Sequence, residues 1–307
     1  MAERLVRALG RAGVVREVGS IAALHCAAED FLELEIDVLA ISGGDGTNGV
    51  TISGFVDVYG NQALPKICLL RGGTANTVAD SIRVRRRSPD RLLAGLIEAK
   101  ARSRPLRNIQ RPVMRVSASG VRRSDGTEIG PSSHGFLFGV GVVCGYLTEY
   151  YASGEPSPRV AAKTLLRGIG SSLVGGPMVR RMARPFRGSV HFEDGTAWEE
   201  RDYLAVAAGT IDHIGLGAKP FYRAGERTDA FHALGIYTRP LGFIRQLDRV
   251  WAAREMRPGH AYEHLASQMR IESSARPLAF MLDGDLYQCD GSLEVTVGPV
   301  VTIVVAD

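Results

Sequence analysis

The sequence predicts an α/β domain followed by a β-rich, sandwich-like domain, and three observations predict it. Apolar runs of strand length at 36–41 and 66–70 alternate with helix-period segments through the first hundred residues, as expected of strands covered by helices. Beyond Arg104-Pro105 the pattern shifts to short strands separated by Gly-rich turns. The 307 residues, 45% hydrophobic and 23% charged, have the composition of a folded chain.

In order, Leu5, Val6 and Leu9 make one helical stripe. Ile21, Leu24, Ala28 and Phe31 make a second behind Ser20, a residue type that caps helices. Val14, Val15 and Val18 suggest a short strand between them. The run from Ile36 to Ile41 reads as a strand buried on both faces, and Lys66 to Leu70 as another. Ser88-Pro89 opens a helix with Leu92, Leu93, Leu96 and Ile97 on one side. The predicted strands of the second part are Val113 to Ala118, His134 to Val142, Gly188 to Phe192, Tyr203 to Ala208, Arg276 to Tyr287 and Leu293 to Val304. Helical or loop insertions are expected at 173–187 and 241–266. The domains are placed at 1–105 and 106–292, and a return of the last strand, 293–307, to the first domain is left open.

Bulk properties exclude some classes. Apolar runs fall short of the roughly 20 residues that span a bilayer, and Arg4, Arg7, Arg11 and Arg16 break up the start of the chain where a signal peptide would be apolar. The expected location is the cytoplasm, with peripheral contact at the inner membrane face. Cys26, Cys68, Cys144 and Cys289 lie singly, without metal-ligand spacing or disulfide density, and read as reduced, mostly buried thiols. The net charge of +4 suits an anionic partner.

The chemistry concentrates in loops. Ser42-Gly43-Gly44-Asp45-Gly46-Thr47-Asn48 follows a buried strand and precedes a helix-capable segment. Glycines let backbone N–H groups approach a ligand, and a helix N-terminus favours phosphate, so the loop reads as a phosphate cradle. A carboxylate there would repel phosphate unless it served a cation, which assigns Asp45 to Mg²⁺ or its water shell. The alternative is a tight strand-to-helix turn with Asp45 as a cap. A second loop, Arg71-Gly72-Gly73-Thr74-Ala75-Asn76-Thr77-Val78-Ala79, repeats the arrangement after the next strand, and two such loops on one sheet edge define a ligand crevice.

These elements resemble the catalytic domain shared by diacylglycerol kinases, sphingosine kinases and related bacterial lipid kinases. The family's Gly-Gly-Asp-Gly-Thr loop stands at Gly43 to Thr47 and its Gly-Thr-x-Asn element at Gly73-Thr74-Ala75-Asn76. Leu282-Asp283-Gly284-Asp285 resembles its Asp-Gly-Glu segment. The resemblance implies ATP and Mg²⁺ held in a cleft between an α/β and a β-sandwich domain. Gly43, Gly44, Asp45, Gly46, Thr47, Asn48, Gly73, Thr74 and Asn76 would hold the nucleotide, with Asp45 on the metal. Asp283 or Asp285 would be the base that accepts the proton of a lipid hydroxyl, Asp285 by alignment. In isolation, Asp283-Gly284 reads as a β-turn. The family's first strand with its Asn-Pro-x-Ser-Gly segment is not found ahead of Leu5, and Thr77 stands where many relatives place Asp.

The expected partner is a lipid substrate at a membrane surface, with no nucleic acid. Arg180, Arg181, Arg184 and Arg187, interleaved with Val179, Met182 and Phe186, are candidates for anionic headgroups, and Arg85-Arg86-Arg87 is a weaker one. His260 and His264 sit at helix-face spacing but lack a third metal ligand, which favours a surface pair. Two other functions stay open: an NAD kinase-like phosphotransferase, which shares the first loop, and a non-catalytic nucleotide- or lipid-binding relative.

Overall fold

The structure, a computed structural model, describes residues 1–123, 132–154, 157–274 and 276–305. Residues 306 and 307 of the predicted last strand lie outside the described residues. The chain forms two compact units, Met1–Arg111 with Pro299–Asp307, and Pro112–Gly298.

The first unit contains α1 (Ala2–Leu9), α2 (Ile21–Glu33), β1 (Val38–Ile41), α3 (Asp45–Tyr59), β2 (Lys66–Leu69), α4 (Thr77–Ser81) and α5 (Pro89–Ala101). β3 (Arg107–Ala118) leads the chain out of it. β1 and β2 run parallel, Val38 opposite Lys66 and Ile41 opposite Leu69. Helix starts follow local chemistry. Ser20 Oγ accepts the Ala23 N–H at 3.2 Å, and Pro89 occupies the first turn of α5, where its missing N–H costs nothing. Leu24 and Ala28 of α2, Ile52 and Phe55 of α3, and Leu92, Leu93 and Leu96 of α5 are buried with Leu39, Ile41, Ile67 and Leu69 of the strands. α2 and α3 pack so closely that a Cβ on Gly54 would lie 2.7 Å from Leu24 Cδ2.

Two expectations need correction here. Residues 14–18 form no strand: no neighbouring strand takes their hydrogen bonds, and Val14 and Val18 are exposed. β1 is covered unevenly, Leu39 and Ile41 being buried while Val38 and Ala40 are half-buried.

The second unit continues with β4 (Arg122–Arg123), β5 (Ser132–Gly135), β6 (Leu137–Gly141), α6 (Val142–Ala152), α7 (Pro158–Val174), α8 (Pro177–Met182), β7 (Phe186–Phe192), β8 (Ala197–Tyr203), β9 (Ala205–Gly209) and β10 (Phe231–Ile236). It closes with α9 (Pro240–Ile244), α10 (Leu247–Trp251), β11 (Ala261–Ala266), β12 (Gln268–Ser273), β13 (Leu278–Leu282), β14 (Asp285–Cys289) and β15 (Ser292–Val305). One sheet runs β11-β10-β9-β6-β13-β14-β4; the other carries β15-β12-β7-β8, with β3 and β5 attached through β15. Phe138, Val206, Phe231 and Phe280 from the first sheet share one core with Met114, Val190, Trp198, Met269 and Val295 from the second, as in a sandwich. The far end of β15 belongs to the first unit, where Ile303 pairs in parallel with Ile67.

The predicted strands 134–142 and 203–208 are each two strands in different sheets. The chain changes sheet at single buried residues, Phe136 between β5 and β6 and Leu204 between β8 and β9. Apolar periodicity cannot see this, because both halves of each run face the same core. Where Gly-rich turns were expected after residue 142, the chain forms α6 and most of α7. The insertion at 241–266 ends in a strand. His264 therefore lies on β11, its ring 3.1 Å from Asp194 Oδ2, and shares no helix face with His260. Cys68, Cys144 and Cys289 are buried, Cys26 is exposed, and all four are free thiols.

Candidate active site

In the first unit both glycine loops leave the C-terminal ends of parallel strands and open into helices, the place where open α/β sheets bind ligands. Gly44 caps α3 with extended backbone, so Asp45, Gly46, Thr47 and Asn48 form that helix's first turn. The Asp45 N–H donates to Ala75 O at 3.2 Å and the Asn48 N–H to Gly44 O at 2.9 Å. The Gly46 and Thr47 N–H groups lie between them, at positions where a helix supplies no acceptor of its own.

The glycines have a purpose that sequence reasoning did not assign. They let the two loops interlock. A Cβ on Gly73 would sit 2.2 Å from Gly44 Cα, one on Gly44 2.8 Å from Ala75 O, and one on Gly72 2.9 Å from Gly43 N. Side chains lock the same contact. Asn76 Nδ2 donates to Gly73 O at 2.6 Å, and Arg71, almost fully buried, pairs with Asp80 Oδ1 at 2.7 Å and donates to Val84 O. The sequence carried no signal for the Arg71–Asp80 pair, since nothing in a single chain marks which charges meet.

Asp45 is placed otherwise than predicted. Its Oδ2 accepts the Thr77 N–H at 2.7 Å and its Oδ1 the Val78 N–H at 3.1 Å, capping α4. The carboxylate is buried; burial raises its pKa, and the hydrogen bonds from Thr77 and Val78 offset this in part. Among the described residues no group of three or more His, Cys, Asp or Glu is arranged to hold a metal ion. Asp45 thus does not fit the role of a direct Mg²⁺ ligand: both of its oxygens are committed to backbone donors and it is shielded from solvent.

The nucleotide candidates fit better. Thr47 and Thr74 are exposed beside the Gly46 and Thr47 N–H groups and the second loop. Asn48 Oδ1 is buried with no hydrogen-bond partner among the described residues, an acceptor that a bound donor would satisfy.

In the second unit, Asp283 and Gly284 have φ of +47° and +94° and join paired Leu282 and Asp285. Two successive positive φ values make this a type I′ hairpin, the turn that Asp-Gly favours. The two aspartates differ in kind. Asp283 is buried, its Oδ1 accepting the N–H groups of Phe136 at 2.9 Å and Leu137 at 2.8 Å, while its own N–H donates to Leu137 O. It secures the point where the chain changes sheet, and its lone pairs are too occupied for a base. Asp285 begins β14 with its carboxylate partly open, 4.0 Å from Arg123 Nη2. Burial raises its pKa, against opposing effects from the Arg123 charge and the Tyr287 hydroxyl. Burial, followed by the Asp285 charge, also pushes Tyr287 up to about 12. Tyr151 of α6 donates its hydroxyl proton to Gly284 O at 2.9 Å and steadies the turn. Arg123, Tyr287 and Tyr151 had no motif to announce them; strand pairing and a helix brought them to the hairpin.

Interlocked glycine loops at parallel strand ends, opening into helix N-termini, are the architecture of a kinase-type phosphotransferase. Residues 3–108, which include both loops, match the family model of the Diacylglycerol kinase catalytic domain, and this region belongs to that family. The fold extends the likeness over the rest of the chain. A diacylglycerol kinase from Bacillus anthracis str. Sterne aligns with a TM-score of 0.59 at 14% identity, over 99% of this chain and 90% of that one. A diacylglycerol kinase-like protein of the same organism aligns at 0.66 and 15%, with the same coverage. An NAD kinase from Archaeoglobus fulgidus in complex with ATP aligns at only 0.45 and 13%, over 99% and 88%. No curated protein matches the chain in sequence.

Proposed function

We propose that the protein is a lipid kinase that transfers the γ-phosphoryl group of ATP, supplied as its Mg²⁺ complex, to a hydroxyl of a membrane lipid such as a diacylglycerol or a sphingosine-like base. The observation that carries this reading is the interlocked pair of glycine loops inside a segment matching the Diacylglycerol kinase catalytic domain. The loops offer the Gly46 and Thr47 N–H groups, the Thr47 and Thr74 hydroxyls and the Asn48 amide to the nucleotide. Asp285 takes the proton of the attacking hydroxyl. Its raised pKa brings it toward the range in which a carboxylate is an effective base, and its partly open position leaves it accessible. Arg123 beside it stabilises negative charge that develops on phosphoryl oxygens.

The test is transfer of labelled γ-phosphate from ATP with Mg²⁺ to diacylglycerol, sphingosine, ceramide and phosphatidylglycerol in mixed micelles, and to NAD. A labelled lipid, lost in Asp285→Asn, is the expected result. Phosphorylated NAD in place of a lipid would move the protein to a soluble acceptor. Folded protein that binds ATP and labels nothing would leave it a binding protein.

A further inference from the structure

Helix α7 is built against the usual logic of a surface helix, which turns apolar residues inward and polar ones outward. Its inner side is lined by Thr164 and Gly168, both buried, with Leu165, Ile169 and Ser171 half-buried. Its outer stripe runs Arg159, Lys163, Leu166, Arg167, Leu173, Val174, at helical spacing. Leu166, Leu173 and Val174 are 67%, 64% and 81% exposed. The inner polar groups are satisfied within the insertion: Ser171 Oγ accepts the Val179 N–H at 2.9 Å, and Ser172 Oγ donates to Gly168 O. Nothing in the fold accounts for the outward leucines. α9, which packs against α7, adds a further exposed Leu241.

Charge narrows what covers this face. Residues 157–187 contain seven basic and no acidic side chains. Arg181 and Arg187 pair with Glu149 and Glu200. Arg159, Lys163, Arg167, Arg180 and Arg184 make no ion pair among the described residues. A positively charged, acid-free surface with a few protruding aliphatic side chains complements an anionic lipid bilayer: cations meet headgroup phosphates while the aliphatic groups enter the acyl boundary.

We propose that α7 and α8 form a docking surface for an anionic bilayer, with Leu166, Leu173 and Val174 inserted and Arg159, Lys163, Arg167, Arg180 and Arg184 against the headgroups. The choice of a bilayer rests on the lipid-kinase reading above and deepens it. Docking through an insertion places the enzyme at the surface where its acceptor resides.

The experiment is co-sedimentation of the full chain with vesicles of phosphatidylcholine, with and without phosphatidylglycerol. Binding is expected only with the anionic lipid and is weakened by salt. Each charge near the surface contributes about fivefold, so Lys163→Glu with Arg167→Glu loses at least tenfold, and Leu173→Asp with Val174→Asp abolishes binding. All four positions are exposed, so unchanged melting curves are expected of the variants. Equal binding by wild type and both variants, no wild-type binding, or a dimer dissolved by Leu173→Asp would each overturn the proposal. A water-soluble short-chain diacylglycerol separates the two readings. Vesicle binding without phosphorylation of that substrate would sink the kinase and leave docking standing. Phosphorylation without vesicle binding would sink docking alone.

Discussion

The Asp45 carboxylate accepts the Thr77 N–H at 2.7 Å, and with it ties the first turn of α3 to the first turn of α4. One side chain thereby sets the spacing of the two phosphate-facing loops, each of which follows a different strand. Replacing it with alanine strands two backbone donors and is expected to cost about 2 to 4 kcal/mol, read by urea denaturation, with ATP binding lost in parallel. Asp45→Asn keeps one acceptor and costs less.

Protonation gives a second handle on that residue. Because burial raises the Asp45 pKa, the folded state holds this proton to higher pH than the unfolded chain does. Its contribution to stability is greatest below the ordinary value of 3.8 and falls as pH rises through the folded pKa. Asp45→Asn is expected to flatten that part of a stability profile measured across acidic to neutral pH.

Glu263 has the opposite sign. Burial pushes its pKa up, but hydrogen bonding to His232, Tyr222 and the Met256 N–H outweighs burial and holds it below the ordinary 4.5. The stability it supplies is present above 4.5 and is lost as pH falls through the folded pKa. Glu263→Gln is expected to remove this acid-side loss while lowering stability at neutral pH by about 1 to 3 kcal/mol, measured by denaturation at the two pH values.

Gly73 tests the interlock. Gly73→Ala places a Cβ 2.2 Å from Gly44 Cα, where backbone must move; the expected cost is about 1 to 3 kcal/mol, with weakened ATP binding. Gly170→Ala is the control. It lies within α7 with nothing inside 4 Å of the new methyl and is expected to stabilise by about 0.4 to 1 kcal/mol.

Asp283 and Asp285, two residues apart, are expected to fail differently. Asp283→Ala unties Phe136 and Leu137 at the sheet change and is expected to lower stability by about 2 to 4 kcal/mol. Asp285→Asn is expected to leave stability intact or improved, because it removes a carboxylate whose ionisation burial disfavours. Its turnover is expected to fall by about 10² to 10⁴. Denaturation curves and steady-state kinetics on the same preparations separate the two.

Much of this protein was determined by its sequence alone. The strands at 38–41 and 66–69, the helix behind Ser20, the Pro89 helix start and the Asp283-Gly284 turn follow from local periodicity, capping and turn chemistry, which act over a few neighbouring residues. The two glycine loops were visible for the same reason. What only the tertiary structure decided are pairings across long stretches of chain. Asp45 caps a helix that begins at residue 77, Asp283 secures Phe136, and Arg71 finds Asp80. Single residues at 136 and 204 carry the chain from sheet to sheet, and α7 turns leucines outward. A carboxylate in sequence is equally fit to bind a cation, take a proton or cap a helix. Which it does depends on the donors that folding brings within about 3 Å and on how much water it keeps.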